Sequence, residues 1–414
     1  MIKKAMTSEL VMGSLILFVM FNLFNFLNFL FQFLMARMLN PVEYGILAVL
    51  ISFLYFITIP GESIQLVISK YTSRLSVKKE YGKIKYLISR TIVKSLFASL
   101  AVFVLILIFS PFLGELLKIP YQYIIILGLT TFLILPLMAL RGGIQGMKKF
   151  NSLGISMNVE AFLKVFIAIF LVMAGWKVYG ALAGLILGSL ISFVFTFVFL
   201  KKIIESKKEK IKIPKIYESG SQVLFVLIAV MVFQSIDIIL SRIFFSELLS
   251  GQYAVANLTG KIIFFGTVAI SKAMFPISSE KGENGDKKHR ILYKSLGIVI
   301  LLCMGALIFY GSFPELIIKI LFGPEYLAIA PIIFNLGIGF SFIALTNLVL
   351  LYATSINKKI RLLEIIGLIF IQIILLFLLS QNLYNYSLAM AFSGVFMFLG
   401  SLLIITKKRA YKKF

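Results

Sequence analysis

Twelve apolar runs of about 20 residues each, parted by short polar or Pro/Gly breaks, limit this chain more than any other feature it carries. They fall near 10–36, 44–69, 91–112, 121–140, 153–174, 179–200, 220–246, 252–275, 291–313, 328–354, 362–380 and 386–406. Inside hydrocarbon there is no water to bond the backbone, so each segment must satisfy its own N–H and C=O groups. Runs of this length select helices over the shorter strands of a membrane barrel. Composition agrees: 60% of the residues are apolar and mean hydropathy is +1.02, against roughly 45–50% apolar usage in soluble domains. The expected fold is all-α and polytopic, with about twelve transmembrane helices and almost no soluble mass. No small-residue cleavage site follows the first run, which therefore reads as a retained first span.

A net charge of +24 would suggest nucleic acid in a soluble protein, so the positions of the basic residues decide the matter. Of the 41 Lys and Arg, 33 fall at alternate ends of the runs: the N-terminus, Lys70–Lys94, Arg141–Lys149, Lys201–Lys215, Lys281–Lys294, Lys358–Arg361 and the C-terminus. The positive-inside rule makes those ends cytoplasmic, with both termini among them, and assigns a multi-pass protein to the cell membrane with no nucleic-acid partner. The opposite turns carry Tyr44, Tyr121, Tyr123, Trp176, Tyr179, Tyr253, Tyr326, Tyr384 and Tyr386, read as an interfacial aromatic belt.

What the chain lacks excludes several classes. No loop is large enough for a fused catalytic domain, the longest expected being the basic segments near 70–90 and 201–219 and the outer segment near 313–327, and the nearest approach to a phosphate loop, Gly282–Lys288, has the wrong spacing. Cys303 is the sole cysteine, which removes disulfide frameworks and thiol metal sites and leaves a small core residue. His289, the sole histidine, reads as a solvated loop residue. Neither an enzyme nor a cofactor is expected, and transport is the stronger class.

The chain also reads as two copies. Gln32 precedes Arg37 by five positions at the end of the first span, and Asp237 precedes Arg242 by five at the end of the seventh. Lys148-Lys149 lead into the fifth span as Lys358-Lys359 lead into the eleventh. Six spans per copy imply a parallel repeat with a site between the halves. The expected divisions are an N-terminal lobe over 1–205, a cytoplasmic linker over 206–219 and a C-terminal lobe over 220–414.

Polar residues inside the spans are the candidate site. Asn22, Asn25, Asn28 and Gln32 share one face of the first span, and Gln234, Asp237 and Ser241 share one face of the seventh. Such stripes either line a lumen or bond to a neighbouring helix. Asp237 and Lys261 lie at equal depth, and a lone charge there costs at least about 2.5–3.5 kcal/mol on insertion scales, so an ion pair or a wet cavity is expected. Glu160 and Lys164, four apart, are read as a structural pair. Glu62, beyond a bend expected at Pro60-Gly61, has no partner nearby in sequence and is a candidate protonatable group. Arg37 and Arg242 either snorkel to the interface or bind an anion.

Four short motifs carry a resemblance: Ala36-Arg37-Met-Leu-Asn-Pro41-Val-Glu43-Tyr44-Gly45, Arg141-Gly-Gly-Ile-Gln145-Gly146, Gly251-Gln-Tyr253-Ala-Val-Ala256 and Leu321-Phe-Gly323-Pro-Glu325-Tyr326. In this order they resemble polysaccharide flippases of the Wzx type, in the multidrug/oligosaccharidyl-lipid/polysaccharide (MOP) exporter superfamily. The resemblance implies two six-helix lobes with spans 1, 2, 7 and 8 around a central cavity. It implies as cargo an oligosaccharide on a polyprenyl diphosphate, with membrane lipids and other glycan-assembly membrane proteins as partners. Arg37, Arg242, Lys261 and Lys272 become candidates for the diphosphate, since guanidinium and ammonium groups bind phosphate oxygens well. Asn25, Gln32 and Gln234 become candidates for the cavity wall, and Asp237 and Glu62 for coupling or ion pairing. The runner-up is a cation-coupled multidrug exporter with Asp237 as its acid.

Overall fold

The computed structural model describes residues 2–211, 221–280, 285–356, Lys358 and 360–406. Side chains are described from residue 19 onward, except at 221–224, 272–273, 275–277, 279–280 and 285–289. Among these residues there are helices and turns and no strand. The first compact unit, Met1–Ser221, holds α1 (Ile2–Met38), α2 (Pro41–Val77), α3 (Tyr81–Leu117), α4 (Tyr121–Leu129), α5 (Thr131–Gly146), α6 (Phe150–Leu171), α7 (Lys177–Thr196) and α8 (Lys201–Glu205). The second, Gln222–Phe414, holds nearly all of α9 (Ser221–Phe244), then α10 (Glu247–Glu280), α11 (Gly285–Ser312), α12 (Pro314–Leu321), α13 (Ala330–Ser355), α14 (Leu362–Leu378) and α15 (Leu383–Thr406).

Among the described residues ten helical stretches are long and apolar enough to cross a membrane. One of them, Phe150–Glu205, contains both α6 and α7, which reverse direction at Val172–Trp176, where Gly175 has φ +90°. With the shorter apolar α14, the candidate crossings among the described residues number twelve. Glycine is required at 175 because a φ this positive is one that side chains with a Cβ rarely adopt.

The basic segment near 70–90, expected as a loop, is mostly helix. Helices α2 and α3 have 37 residues each, about 55 Å at 1.5 Å per residue, well beyond a hydrocarbon core of about 30 Å. Their basic ends therefore extend past the hydrocarbon core into the headgroup region and beyond, and join through Lys78–Glu80. The outer segment 313–327 is likewise built, from α12 and a 3₁₀ turn. At Pro60 α2 stays helical, so the expected bend does not interrupt it. Its start is fixed by chemistry legible in the sequence: Asn40 caps the Glu43 N–H at 2.9 Å, the Glu43 carboxylate accepts from the Asn40 N–H, and Pro41 fills the first turn.

Three helix ends in the first unit share one device. Lys79, Lys118 and Lys148 take left-handed φ of 56°, 53° and 59°. In each case the next N–H bonds back five residues: Glu80 to Leu75, Ile119 to Gly114 and Lys149 to Ile144. This satisfies carbonyls that a helix terminus would otherwise leave open.

Lipid tails are as apolar as leucine, so helices associate here through close packing and polar contacts. In the first unit α5 lies on α2 through glycines: a Cβ on Gly142 would meet the Gln65 carbonyl oxygen at 2.7 Å, and one on Gly146 the Ser69 oxygen at 2.5 Å. Helices α6 and α7 meet at Gly184 and Gly188, which face the Lys164 backbone at 2.8 and 2.9 Å from an added Cβ. The second unit joins α13 to α15 where Gly339 meets Met390 and Gly394 meets Gly339. A further contact recurs within each unit. Asn158 of α6 donates to the Met20 carbonyl of α1 at 3.1 Å, and Gln372 of α14 donates to the Phe233 carbonyl of α9 at 3.0 Å. An amide on the fifth span of each copy thus ties down the first.

Overpacking a closed backbone contact costs about 1–3 kcal/mol. Gly146→Val should lower the melting temperature and folded yield of the detergent-purified protein, whereas Gly297→Ala, with nothing within 4 Å of its added Cβ, should leave both unchanged. Size-exclusion chromatography after heating reads the difference.

Candidate functional site

In the second unit the polar residues gather around Asp237 of α9, which is fully buried. Its Oδ2 accepts from the Tyr253 hydroxyl at 2.7 Å and from the Asn257 amide, both on α10. Tyr386 of α15 donates to the Asp237 carbonyl oxygen at 2.8 Å, and its ring meets that of Tyr253 edge-on at 5.0 Å. Lys261, 2% exposed, lies one turn beyond Asn257 on α10, and its charge acts on the carboxylate. The carboxylate is thus held by a phenol and an amide, and among the described residues its Oδ1 has no side-chain donor, a state it shares with the buried oxygens of Asn257 and Gln372. Buried oxygens left so are uncommon and expensive.

Tyr253 and Tyr386 are corrections to the expected aromatic belt. With Tyr44 and Tyr326 they are at most 1% exposed and belong to the interior of their units. Trp176 (56%), Tyr121, Tyr179 and Tyr384 remain exposed, as a belt requires. The buried phenols have polar work to do, and position at a span end did not separate the two sets.

The arginines at the ends of spans 1 and 7 differ despite their matching positions. Arg37 is exposed. Arg242 is fully buried, donating to the Glu247 carboxylate at 3.3 Å, the Glu247 carbonyl at 3.2 Å and the Ser250 hydroxyl at 3.1 Å. It ties the end of α9 to the start of α10. Gln234 and Ser241 turn back on their own helix, bonding to the Val230 and Ile238 carbonyls. The side chain of Lys272 lies outside the described residues, as does that of His289.

In the first unit the stripe on α1 is partly spent on neighbours. Gln32, 5% exposed, donates to the Tyr55 hydroxyl of α2 at 3.2 Å. Asn28 accepts from the Lys164 ammonium of α6, which also stands 5.0 Å from the centre of the Phe31 ring. Asn25 and Glu62 are half-buried. The expected Glu160–Lys164 pair is therefore replaced: Glu160 binds Arg141 at 2.6 Å and accepts from Ser189 at 2.9 Å. The reason is geometric, since Lys164 points to α1 while Glu160 points to α5 and α7.

Arg141 is the residue that sequence reading misplaced among the loop charges. It is 1% exposed and bonds Glu160, the Ser156 hydroxyl and carbonyl, and the Ser192 hydroxyl. It therefore joins α5, α6 and α7. Two signals were available: it adjoins an apolar run without a break, and Gly142-Gly143 follow it. No group of three or more potential metal ligands occurs among the described residues.

Two six-span units, each knit by buried polar contacts, share their fold with solved transporters of the MOP superfamily. An inward-facing multidrug resistance MATE family transporter of that superfamily superposes with a TM-score of 0.75 at 11% identity, covering 92% of this chain and 94% of its own. The lipid II flippase MurJ, inward closed, gives 0.72 at 14% identity, covering 96% and 88%. A MOP transporter from Pyrococcus furiosus, described by the reverse polarity of its binding pocket, gives 0.62 at 14%, covering 96% of each chain. No curated protein matches the sequence. Residues 34–331 match the family described as "Polysaccharide biosynthesis protein", and the chain belongs to that family.

Removing one partner of a buried ion pair strands the other charge, at about 3–5 kcal/mol. Arg141→Met should therefore sharply lower the thermal stability of the purified protein. The double change Arg141→Met with Glu160→Leu should recover most of the loss; equal losses in the two variants would show that the pair is not the cause.

Proposed function

We propose that this chain is a flippase that carries polyprenyl-diphosphate-linked oligosaccharide across the cytoplasmic membrane for surface polysaccharide assembly. The observation that carries this reading is the family match over residues 34–331. A flippase forms no covalent bond, in keeping with a chain that is almost wholly membrane helix. Its basic ends and both termini face the cytoplasm on this reading. The cargo is the lipid-linked oligosaccharide, with membrane lipids around it and other glycan-assembly membrane proteins as further partners.

Recognition falls on the diphosphate, because two phosphates in a low-dielectric cavity bind cations far more strongly than sugar hydroxyls do. Lys261 is the foremost candidate, and exposed Arg37 is a second. Arg242 supports the site indirectly, since its donors already serve Glu247 and Ser250. Lys272 stays a candidate by position alone. Asn25, Gln32 and Gln234 would complete the wall through their amides, with Glu62 toward the cytoplasmic half.

The second reading, a cation-coupled exporter, is favoured by one observation, the Asp237 Oδ1 without a side-chain donor. A carboxylate oxygen in that state can take a proton or a small cation, and the same group could equally couple lipid flipping to an ion gradient.

Loss of one charge-assisted hydrogen bond, worth about 1.5–3 kcal/mol, slows transport about tenfold or more. Lys261→Ala should reduce surface glycan by that factor and accumulate the diphosphate-linked precursor inside, with membrane insertion intact. Normal surface glycan in this variant would remove Lys261 from the site. A deletion strain with normal glycan and raised drug sensitivity would replace the flippase reading by the exporter.

A further inference from the structure

At the basic end of the first unit an open groove of about 120 Å³ lies between the α2–α3 turn, the α5–α6 turn and the residues around the start of α8. Its polar lining is Ser76, Tyr81, Lys149 and Lys202, over an apolar floor that includes Phe199 and Leu200. Leu200, 2% exposed, belongs to the packed core beneath, so the floor is rigid. The Lys149 ammonium is held at the rim by donating to the Phe199 carbonyl at 2.9 Å, which leaves further donors on the same nitrogen.

Neither lysine forms an ion pair among the described residues. Of the acids around it, Glu80 pairs with Lys83 at 2.9 Å and Glu205 with Lys201 at 3.8 Å, while Glu209, packed on Gly82, forms no ion pair with either groove lysine. The groove therefore presents two ammonium groups outside any ion pair among the described residues, and two hydroxyls, over an apolar base. Beside it Val77, Val198 and Ile204 are 79%, 65% and 43% exposed. Exposed aliphatic side chains alternating with cations are unfavourable in water and suited to the boundary between headgroups and acyl chains.

We propose that this groove binds the phosphate of an anionic phospholipid. Lys149 and Lys202 supply the charge, Ser76 and Tyr81 the hydroxyl donors, and Val198 and Ile204 the surface along which the acyl chains run. A free phosphate would satisfy the same donors but would leave the apolar border exposed, and that border is what favours a lipid. The site belongs to the first unit and the Asp237 cluster to the second, and it does not depend on the identity of the cargo.

Native mass spectrometry of the full-length protein in detergent, with phosphatidylglycerol and phosphatidylcholine added in equal amounts, tests the assignment. Two lysines near a membrane surface supply a preference of about 30-fold for the anionic lipid. The double variant Lys149→Ser with Lys202→Ser should bring the two lipids near parity. A control of equal charge change outside the groove, Lys94→Ser with Lys207→Ser, should keep the preference, and unchanged melting curves show that both variants are folded. No preference in the wild-type protein, or equal loss in groove and control variants, would overturn the site. Displacement of phosphatidylglycerol by millimolar inorganic phosphate would overturn its assignment to a lipid.

Discussion

Charge cannot stand alone where water is excluded, and the interior of both units is organised by that fact. Arg141, Arg242, Lys164 and Asp237 are each at most 9% exposed, and each is met by groups from a neighbouring helix or turn. Arg141 draws α6 and α7 to α5, Lys164 holds α1 to α6, Arg242 closes the turn from α9 to α10, and Asp237 draws in α10. Since apolar contacts are nearly neutral between helices in lipid, these polar contacts and the glycine approaches specify which helices are neighbours. The helices themselves follow from backbone satisfaction; their arrangement follows from these few side chains.

The difference between those levels explains what was legible beforehand. Helix class and the number of crossings follow from run length, because a bilayer has nearly one thickness. The cap at Asn40-Pro41-Val-Glu43 could also be read directly, being a local pattern with a local cause. The partners of buried charges could not, since they depend on which helices adjoin. Spacing favoured Glu160 with Lys164, yet Glu160 faces Arg141, 19 positions away in the chain. Tyr253 and Tyr386 look like belt residues because depth is all that sequence position gives; direction around the helix is set by packing. The basic stretch near 70–90 was taken for a loop because charge suggests solvent, and solvent does not forbid helix.

The internal repeat shows the same division. Backbone-level features recur in both copies, such as the amide on α6 or α14 that donates to a carbonyl on α1 or α9. Side-chain chemistry has diverged. The arginine ending the first span is exposed while that ending the seventh is sealed by Glu247 and Ser250. The first unit is centred on a guanidinium with its donors well supplied, and the second on a carboxylate with one oxygen lacking a side-chain donor.

That asymmetry bears on mechanism. A cluster whose donors and acceptors are balanced has little to gain from a ligand and serves to hold its helices at fixed spacing. A cluster with an unsatisfied buried oxygen has a standing cost that a proton or a cation can relieve, so its stability depends on what is bound. Any ion that lowers the energy of the second unit in this state must, by linkage, bind this state more tightly than one in which the oxygen is hydrated. On these grounds the Arg141 cluster holds its helices at fixed spacing, whereas the stability of the Asp237 cluster responds to what its carboxylate meets.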